Sequence, residues 1–140
     1  MGKGISNKKG VNFKFLDFCL LDAVFHVNRE FKAAEGENIE IATDFNLGHK
    51  TTEKRVQVFL KVTSDGKKAP FSFIVEGAGF FEFEEVQEEG DMARIAGINC
   101  AAIIFPYIRE TVADLTRRAG FPPLHLAPVN FVEAFKVKKD

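Results

Sequence analysis

Residues 55–63 read Arg-Val-Gln-Val-Phe-Leu-Lys-Val-Thr, and they decide the fold class. Apolar residues at the even positions alternate with polar ones at the odd positions, with Phe59 as the exception, which is typical of a β-strand with one buried face. The same alternation recurs in residues 38–47 and 71–84, and an earlier apolar stretch spans residues 12–27. Turns are predicted at three glycine-containing segments, residues 34–37, 47–50 and 64–67. Because short links favour antiparallel neighbours, the sequence predicts a four-stranded antiparallel meander.

The first predicted strand, residues 12–27, is apolar on both of its faces. One parity carries Phe13, Phe15, Leu21, Phe25 and Val27, and the other carries Leu16, Phe18, Leu20 and Val24. An antiparallel sheet commonly leaves one face to water, so a strand of this kind needs a second cover. We expect another subunit to supply it; the alternative is a strand wrapped by its own long loop.

The last third of the chain predicts two helices joined by a stiff loop. Residues 101–119 carry apolar side chains at helical spacing, and Pro106 inside this pattern predicts that the helix either starts or kinks there. A proline-rich loop, residues 121–128, follows. A capping-box pattern that begins at Asn130 then predicts a short helix through Phe135. The fold class is therefore α+β, with the sheet followed by a long helix, a crossover loop and a short C-terminal helix.

Bulk composition places the chain among ordinary globular domains. With 140 residues, 46% of them hydrophobic and 28% charged, the sequence predicts one domain over residues 1–140, with flexible ends at 1–10 and 136–140. The net charge of −1 provides no basic footprint for nucleic acid. Without a secretory leader, and with two widely separated cysteines, a reduced cytoplasm is the expected compartment.

Few residues of this sequence are suited to chemistry. His26, His49 and His125 are far apart and show no metal-ligand spacing. Cys100 at a helix start could be an activated nucleophile, but the sequence shows no base beside it, and a small buried side chain is the simpler interpretation. The Gly77-Ala78-Gly79 run lies late in a strand and predicts a bulge or a close backbone approach, not a phosphate site. We therefore expect no enzyme activity, no metal and no cofactor.

Residues 98–135 resemble the SecB family of protein-export chaperones. The resemblance rests on three motifs: Phe105-Pro106-Tyr107-x-Arg109-Glu110, Gly120-Phe121-Pro122-x-Leu124-x-Leu126, and Ala127-Pro128-Val129-Asn130-Phe131. It implies a cytoplasmic, nucleotide-independent chaperone that keeps secretory precursors unfolded and passes them to the SecA motor. It also implies a homotetramer, built as a dimer of dimers through the first strand and the long helix.

The resemblance further implies an apolar groove between the second strand and the crossover loop, in which clients bind. The residues expected to line it are Ile39, Ile41, Phe105, Phe121, Leu124 and Leu126. For each of them a place in the core is the alternative.

A SecA contact is implied on the outer face of the sheet, where Asp22 matches one position of an acidic patch. The other patch positions fall on His26, Ser72 and Ile74, which are not acidic. The holding function does not depend on these positions. The alternatives are a dedicated chaperone of an antitoxin, a module that binds one fixed apolar ligand or partner, and an enzyme that uses Cys100.

Overall fold

The computed structural model describes residues 10–33, 36 and 38–139. The strands are β1 (Phe13–Val27), β2 (Asp44–Thr52), β3 (Arg55–Ser64) and β4 (Phe71–Phe83). The helices are α1 (Glu89–Ile95), a π-helical segment (Ala96–Cys100), α2 (Ala101–Arg118) and α3 (Phe131–Lys139). The predicted α+β class, with four antiparallel strands, a long helix and a short C-terminal helix, is confirmed.

The order of the strands differs from the predicted meander. The sheet runs β1-β4-β3-β2, and every neighbouring pair is antiparallel. Only β2, β3 and β4 form a meander, because β1 returns to pair with β4 along its whole length, from Phe13 opposite Phe83 to Val27 opposite Phe71. Both β1 and β2 are therefore edge strands of the described sheet.

The second strand lies later in the chain than the alternation suggests. Residues 38–43 are irregular, and β2 continues through Gly48, so the turn predicted at residues 47–50 is wrong. The reversal occurs at Glu53 and Lys54, between the paired residues Thr52 and Arg55. Glu53 adopts a left-handed φ of 56° there, a conformation more often taken by glycine or asparagine. The turn predicted at residues 64–67 lies two residues later, where the Ala69 amide donates to the Gly66 carbonyl at 3.2 Å. Of the turn predicted at 34–37 only Gly36 is described.

The core lies between one face of the sheet and the long helix. Alternate residues of β3 and β4 are buried, and Ile104, Ile108 and Val112 of α2 pack against them. The absence of a side chain at Gly79 lets α2 pack close to β4, because a Cβ at this position would overlap Ile104 Cγ2 and lie 2.9 Å from Phe81 Cε1. The predicted close backbone approach at residues 77–79 is confirmed.

The long helix is continuous from Glu89 to Arg118, with Pro106 inside α2, so of the two alternatives predicted at Pro106 the helix start is wrong. By length and composition alone this helix could cross a membrane, a test that the core helix of a soluble protein also passes. It ends in a Schellman motif: Gly120, at a φ of 94°, donates to the Arg117 carbonyl, and the Phe121 amide donates to the Thr116 carbonyl.

Helix α3 begins as predicted and ends later. The Asn130 side-chain oxygen accepts a hydrogen bond from the Glu133 amide at 3.1 Å, which is the expected capping contact. The helix continues to Lys139, beyond the predicted end at Phe135. Of the predicted flexible ends, residues 1–9 and 140 lie outside the described residues, and 136–139 are helical.

Candidate functional site

Two adjoining cavities lie on the core side of β2, and together we call them the β2 groove. The first has a volume of about 720 Å³ and lies between β2, α3 and the start of the long helix. Its lining residues are Phe45, Asn46, Leu47, Gly48, His49, Ala93, Ala96, Gly97, Glu133, Ala134, Phe135 and Val137. The second, about 380 Å³, lies under the crossover loop. Its lining residues are Thr43, Phe45, Val62, Phe105, Leu126, Ala127, Pro128, Val129, Asn130 and Ala134.

Phe45 lies at the junction of the two cavities and lines both of them, as does Ala134. The Phe45 and Phe131 rings form an edge-to-face pair with centroids 6.0 Å apart. Phe131 and Phe105 form a second edge-to-face pair, with centroids 5.9 Å apart. Phe105 and Phe131 are buried, whereas Phe45 remains partly exposed. The groove therefore presents one exposed aromatic ring, Phe45, which packs against buried aromatic rings of the core, and such a ring suits large apolar side chains.

The π-helical segment forms the floor of the larger cavity. Ala96 and Gly97 line it, and a Cβ at Gly97 would lie 3.2 Å from Phe135 Cδ1. The absence of a side chain at Gly97 therefore lets α3 lie close to the long helix. π-Helical turns are rare and often occur at functional sites. In this chain the π-helical segment contributes two small residues, Ala96 and Gly97, to the lining of the larger cavity.

The structure brings only some of the predicted groove residues together. Phe105 and Leu126 line the smaller cavity, and they are 6% and 8% exposed, so each also belongs to the core. Phe121 and Leu124 are half-buried and line neither cavity; the Phe121 ring packs on Phe71 at 5.0 Å.

The two predicted isoleucines lie before the second strand, outside it. Ile39 is 41% exposed, and Ile41 packs partly against the core. The large apolar strand residues that line the groove are instead Phe45 and Leu47, which the alternating pattern places on the same parity. The contributions of α3 and the π-helical segment had no signal in the sequence.

Asp22 lies on β1, opposite Glu76 of β4. His26 lies opposite Ser72, and Ser72 and Ile74 alternate with buried residues of β4, so they occupy the outer face of the sheet. All four positions of the implied patch are thus on neighbouring strands. Glu76 is a second carboxylate beside Asp22, and it is not among the four patch positions that the family resemblance implies.

The edge strand β1 exposes a row of large apolar side chains. They are Leu16, Leu20, Leu21, Val24 and Val27, each between 36% and 52% exposed. Two irregularities in its pairing with β4, between Phe15 and Asp17 and between Leu20 and Asp22, change which parity faces the helix. Apolar residues consequently reach both faces of this strand, as the sequence indicated.

The described residues contain no cluster suited to nucleophilic or metal chemistry. No group of three or more His, Cys, Asp or Glu in that part of the chain could hold a metal ion. The three histidines line three different cavities. Burial raises the pKa of the Cys100 thiol to about 12, so this thiol stays protonated at neutral pH and is a poor nucleophile.

Comparisons with known proteins agree on one family. A family model described as preprotein translocase subunit SecB matches residues 11–140. The protein-export protein SecB of Idiomarina loihiensis is 39% identical over 101 residues, which cover 69% of this chain and 60% of that protein. The SecB of an Acidovorax species is 43% identical over 101 residues, which cover 68% of this chain and 67% of that protein. The chain thus spans about two thirds or less of the length of these relatives.

A solved structure shares the fold. It is a SecB-like chaperone of Mycobacterium tuberculosis in complex with a ChAD peptide from the HigA1 antitoxin, with a TM-score of 0.71 and 21% sequence identity. The match covers 84% of this chain and 90% of that one. From the family model over nearly the whole chain, and from relatives near 40% identity, it follows that this protein belongs to the SecB family.

Proposed function

We propose that this protein is a nucleotide-independent holdase that binds unfolded polypeptides in the β2 groove, and that it serves protein export from the cytoplasm. The observation that carries the proposal is the groove itself: two adjoining cavities, lined mainly by apolar residues, with one exposed aromatic ring between them. Unfolded clients offer scattered apolar side chains on extended backbone. Two adjoining cavities can bind the apolar side chains of an unfolded client without requiring a defined client sequence.

Several weak contacts along one client would give useful affinity. Each buried client side chain contributes roughly 1.5–3 kcal/mol, and contacts linked along one polypeptide reinforce one another. Asn46, Gly48 and His49 on the β2 wall are solvent-exposed, so the groove is open to solvent. An open groove supports a holding function over a closed pocket for one fixed apolar ligand.

Aggregation suppression tests this proposal. A chemically unfolded, slow-folding precursor is diluted into buffer without nucleotide, with this protein at a roughly stoichiometric ratio, and light scattering is followed. We expect wild-type protein and the Val86→Asp variant to suppress scattering, because Val86 lies outside the groove. The Phe45→Asp variant should fail to suppress it. Unchanged scattering with wild-type protein for several unrelated precursors would contradict the proposal.

We also infer that the exposed apolar row of β1 is covered by a second copy of the chain, within the tetramer that the family resemblance implies. An uncovered edge strand of this length would expose both unpaired backbone groups and leucines to solvent. Leu21→Arg should lower the molar mass measured by light scattering after size exclusion, whereas Val86→Asp should not. A tetramer that withstands Leu21→Arg would place the interface elsewhere.

Delivery to SecA is a separate step with its own residues. Asp22 and Glu76 face each other on the outer sheet surface, and Lys61 lies beside Glu76 on β3. If this pair contacts SecA, Asp22→Lys will abolish SecA binding in a pull-down and leave aggregation suppression unchanged. SecA binding by the variant at wild-type strength would exclude Asp22.

The second candidate is a dedicated antitoxin chaperone, since the structurally similar mycobacterial protein was solved with an antitoxin-derived peptide. The two candidates differ in client range. A dedicated chaperone would protect one antitoxin and leave unrelated precursors to aggregate. A general holdase would protect precursors of unrelated sequence.

A further inference from the structure

Thr116 is a fully buried polar residue in the last turn of α2. It is 0% exposed, and its hydroxyl oxygen lies 2.9 Å from the Ala113 carbonyl oxygen and 3.1 Å from that of Val112. The Leu124 amide donates to the same hydroxyl oxygen at 2.9 Å. A hydroxyl has one proton to donate and lone pairs to accept with, so both its roles are filled: it donates to its own helix and accepts from the crossover loop.

The loop has few other hydrogen bonds that could hold it. Pro122, Pro123 and Pro128 have no amide proton. Among residues 122–130, all of which are described, Leu124 has the one amide that the structure pairs with a protein acceptor. The neighbouring Phe121 amide donates to the main-chain carbonyl of Thr116 at 3.1 Å. Both bonds between the first half of the loop and the long helix therefore end on a single residue.

This attachment lies next to the groove wall. Leu126 lies two residues after Leu124 and belongs to the core cluster. From Leu126 to Asn130 the loop lines the smaller cavity. Thr116 itself lines neither cavity of the β2 groove. Any effect that it has on a bound client must therefore act through the position of the loop.

We propose that Thr116 is a positioning residue for client binding, whose hydroxyl holds the crossover loop in the conformation that forms the wall of the β2 groove. The inference rests on the proposed holding function. Ordering a loop during binding reduces the observed binding free energy. A groove wall that is already ordered before the client binds avoids this loss. Without the hydroxyl, the Leu124 amide loses its acceptor and the wall must be ordered in each binding event.

Two substitutions separate the hydroxyl from the rest of the side chain. Thr116→Val keeps the shape and removes the hydroxyl, whereas Thr116→Ser keeps the hydroxyl and removes a buried methyl group. Affinity for a fluorescently labelled unfolded precursor is measured by anisotropy at a temperature where every variant is folded. We expect Thr116→Val to weaken binding about 2- to 12-fold, as the loss of one hydrogen bond implies. Thr116→Ser should bind within about 2-fold of wild type, although its lost methyl lowers thermal stability.

The outcomes distinguish this inference from the function on which it rests. If wild-type protein does not bind the precursor, the holding function is wrong. If wild type binds and Thr116→Val binds equally well, the positioning role is wrong. If both variants lose stability and affinity together in proportion, Thr116 is structural only and the inference is also overturned.

Amide hydrogen exchange of the wild-type protein provides a test that needs no variant. The Leu124 amide should exchange at least about 10-fold more slowly than the His125 and Leu126 amides, because it alone of the three is hydrogen-bonded. Equal exchange rates for the three amides would show that the bond to Thr116 does not hold the loop in solution.

Discussion

Close packing of β4 against the long helix predicts a specific cost for one added methyl group. A Cβ at Gly79 would overlap Ile104 Cγ2 and lie 2.9 Å from Phe81 Cε1. Both neighbours are buried at 0% exposure, so neither can move into solvent. Overpacking of this kind costs roughly 1–3 kcal/mol, from which the smaller entropy of an unfolded alanine chain recovers about 0.4–1 kcal/mol.

Gly79→Ala should therefore destabilise the protein by about 1–2 kcal/mol, which corresponds to a fall in Tm of about 3–7 °C for a chain of this size. Gly48→Ala is the matched control. Gly48 also lies inside a strand, but a Cβ there meets nothing within 4 Å. This variant should keep the wild-type Tm or raise it slightly.

Thermal unfolding followed by circular dichroism at one protein concentration measures both variants, since assembly makes Tm depend on concentration. A Gly79→Ala variant as stable as wild type, or a Gly48→Ala variant as unstable as Gly79→Ala, would refute the packing argument. The first result would mean that the helix is not held against β4 at this point.

Three further predictions concern the core, a thiol and a surface ion pair. Leu126→Ala should cost about 2–3 kcal/mol in denaturant unfolding, because the side chain is nearly buried in the core cluster, and a loss below 1 kcal/mol would place it outside the core. In native protein, iodoacetamide should leave Cys100 unmodified, since burial raises the pKa of its thiol to about 12, and should modify it only after denaturation; native labelling quantified by peptide mass spectrometry would contradict this. The hydrogen bond from Arg118 lowers the pKa of Asp114, so this carboxylate stabilises the fold above its unfolded pKa and the stabilisation is lost as the pH falls through the lower folded pKa. Asp114→Asn should accordingly lower Tm slightly at pH 7, with a difference from wild type that disappears in acid; a difference that persists there would assign the effect to something other than charge.

Local patterns in the sequence predicted the elements better than their arrangement. The alternation in residues 55–63 identified β3 because one face of that strand is buried at every second residue. The helical spacing of residues 101–119 likewise identified α2, which ends at Arg118. The position of β1 beside β4 could not be predicted in this way, because pairing between strands distant in sequence leaves no periodic signal in either strand.

The error at β2 has a specific physical cause. Gly48 suggested a turn, yet it lies inside the strand, and the true reversal uses Glu53 in a left-handed conformation without a glycine. The chain therefore extends its pairing with β3 past the expected turn. Ile39 and Ile41 are consequently left outside the strand, and Phe45 comes to line the groove.

The candidate site was predictable only where one segment supplied it. Leu126 and Phe105 were expected from the motifs of the loop and helix, and both line the smaller cavity. The larger cavity is formed by β2, α3 and the π-helical segment, which meet only in the folded chain. Small residues such as Gly97 give no sign of a cavity until the elements around them are placed.

The central claim is that unfolded clients occupy the β2 groove, and site-specific photo-crosslinking tests it most directly. A benzophenone amino acid is placed at position 45, within the groove, or at position 86, outside it, and each protein is irradiated with an unfolded precursor. Strong crosslinking from position 45 and none from position 86 is the predicted result. Crosslinks from position 86 alone, or from neither position while the precursor is bound, would show that clients bind elsewhere on the molecule.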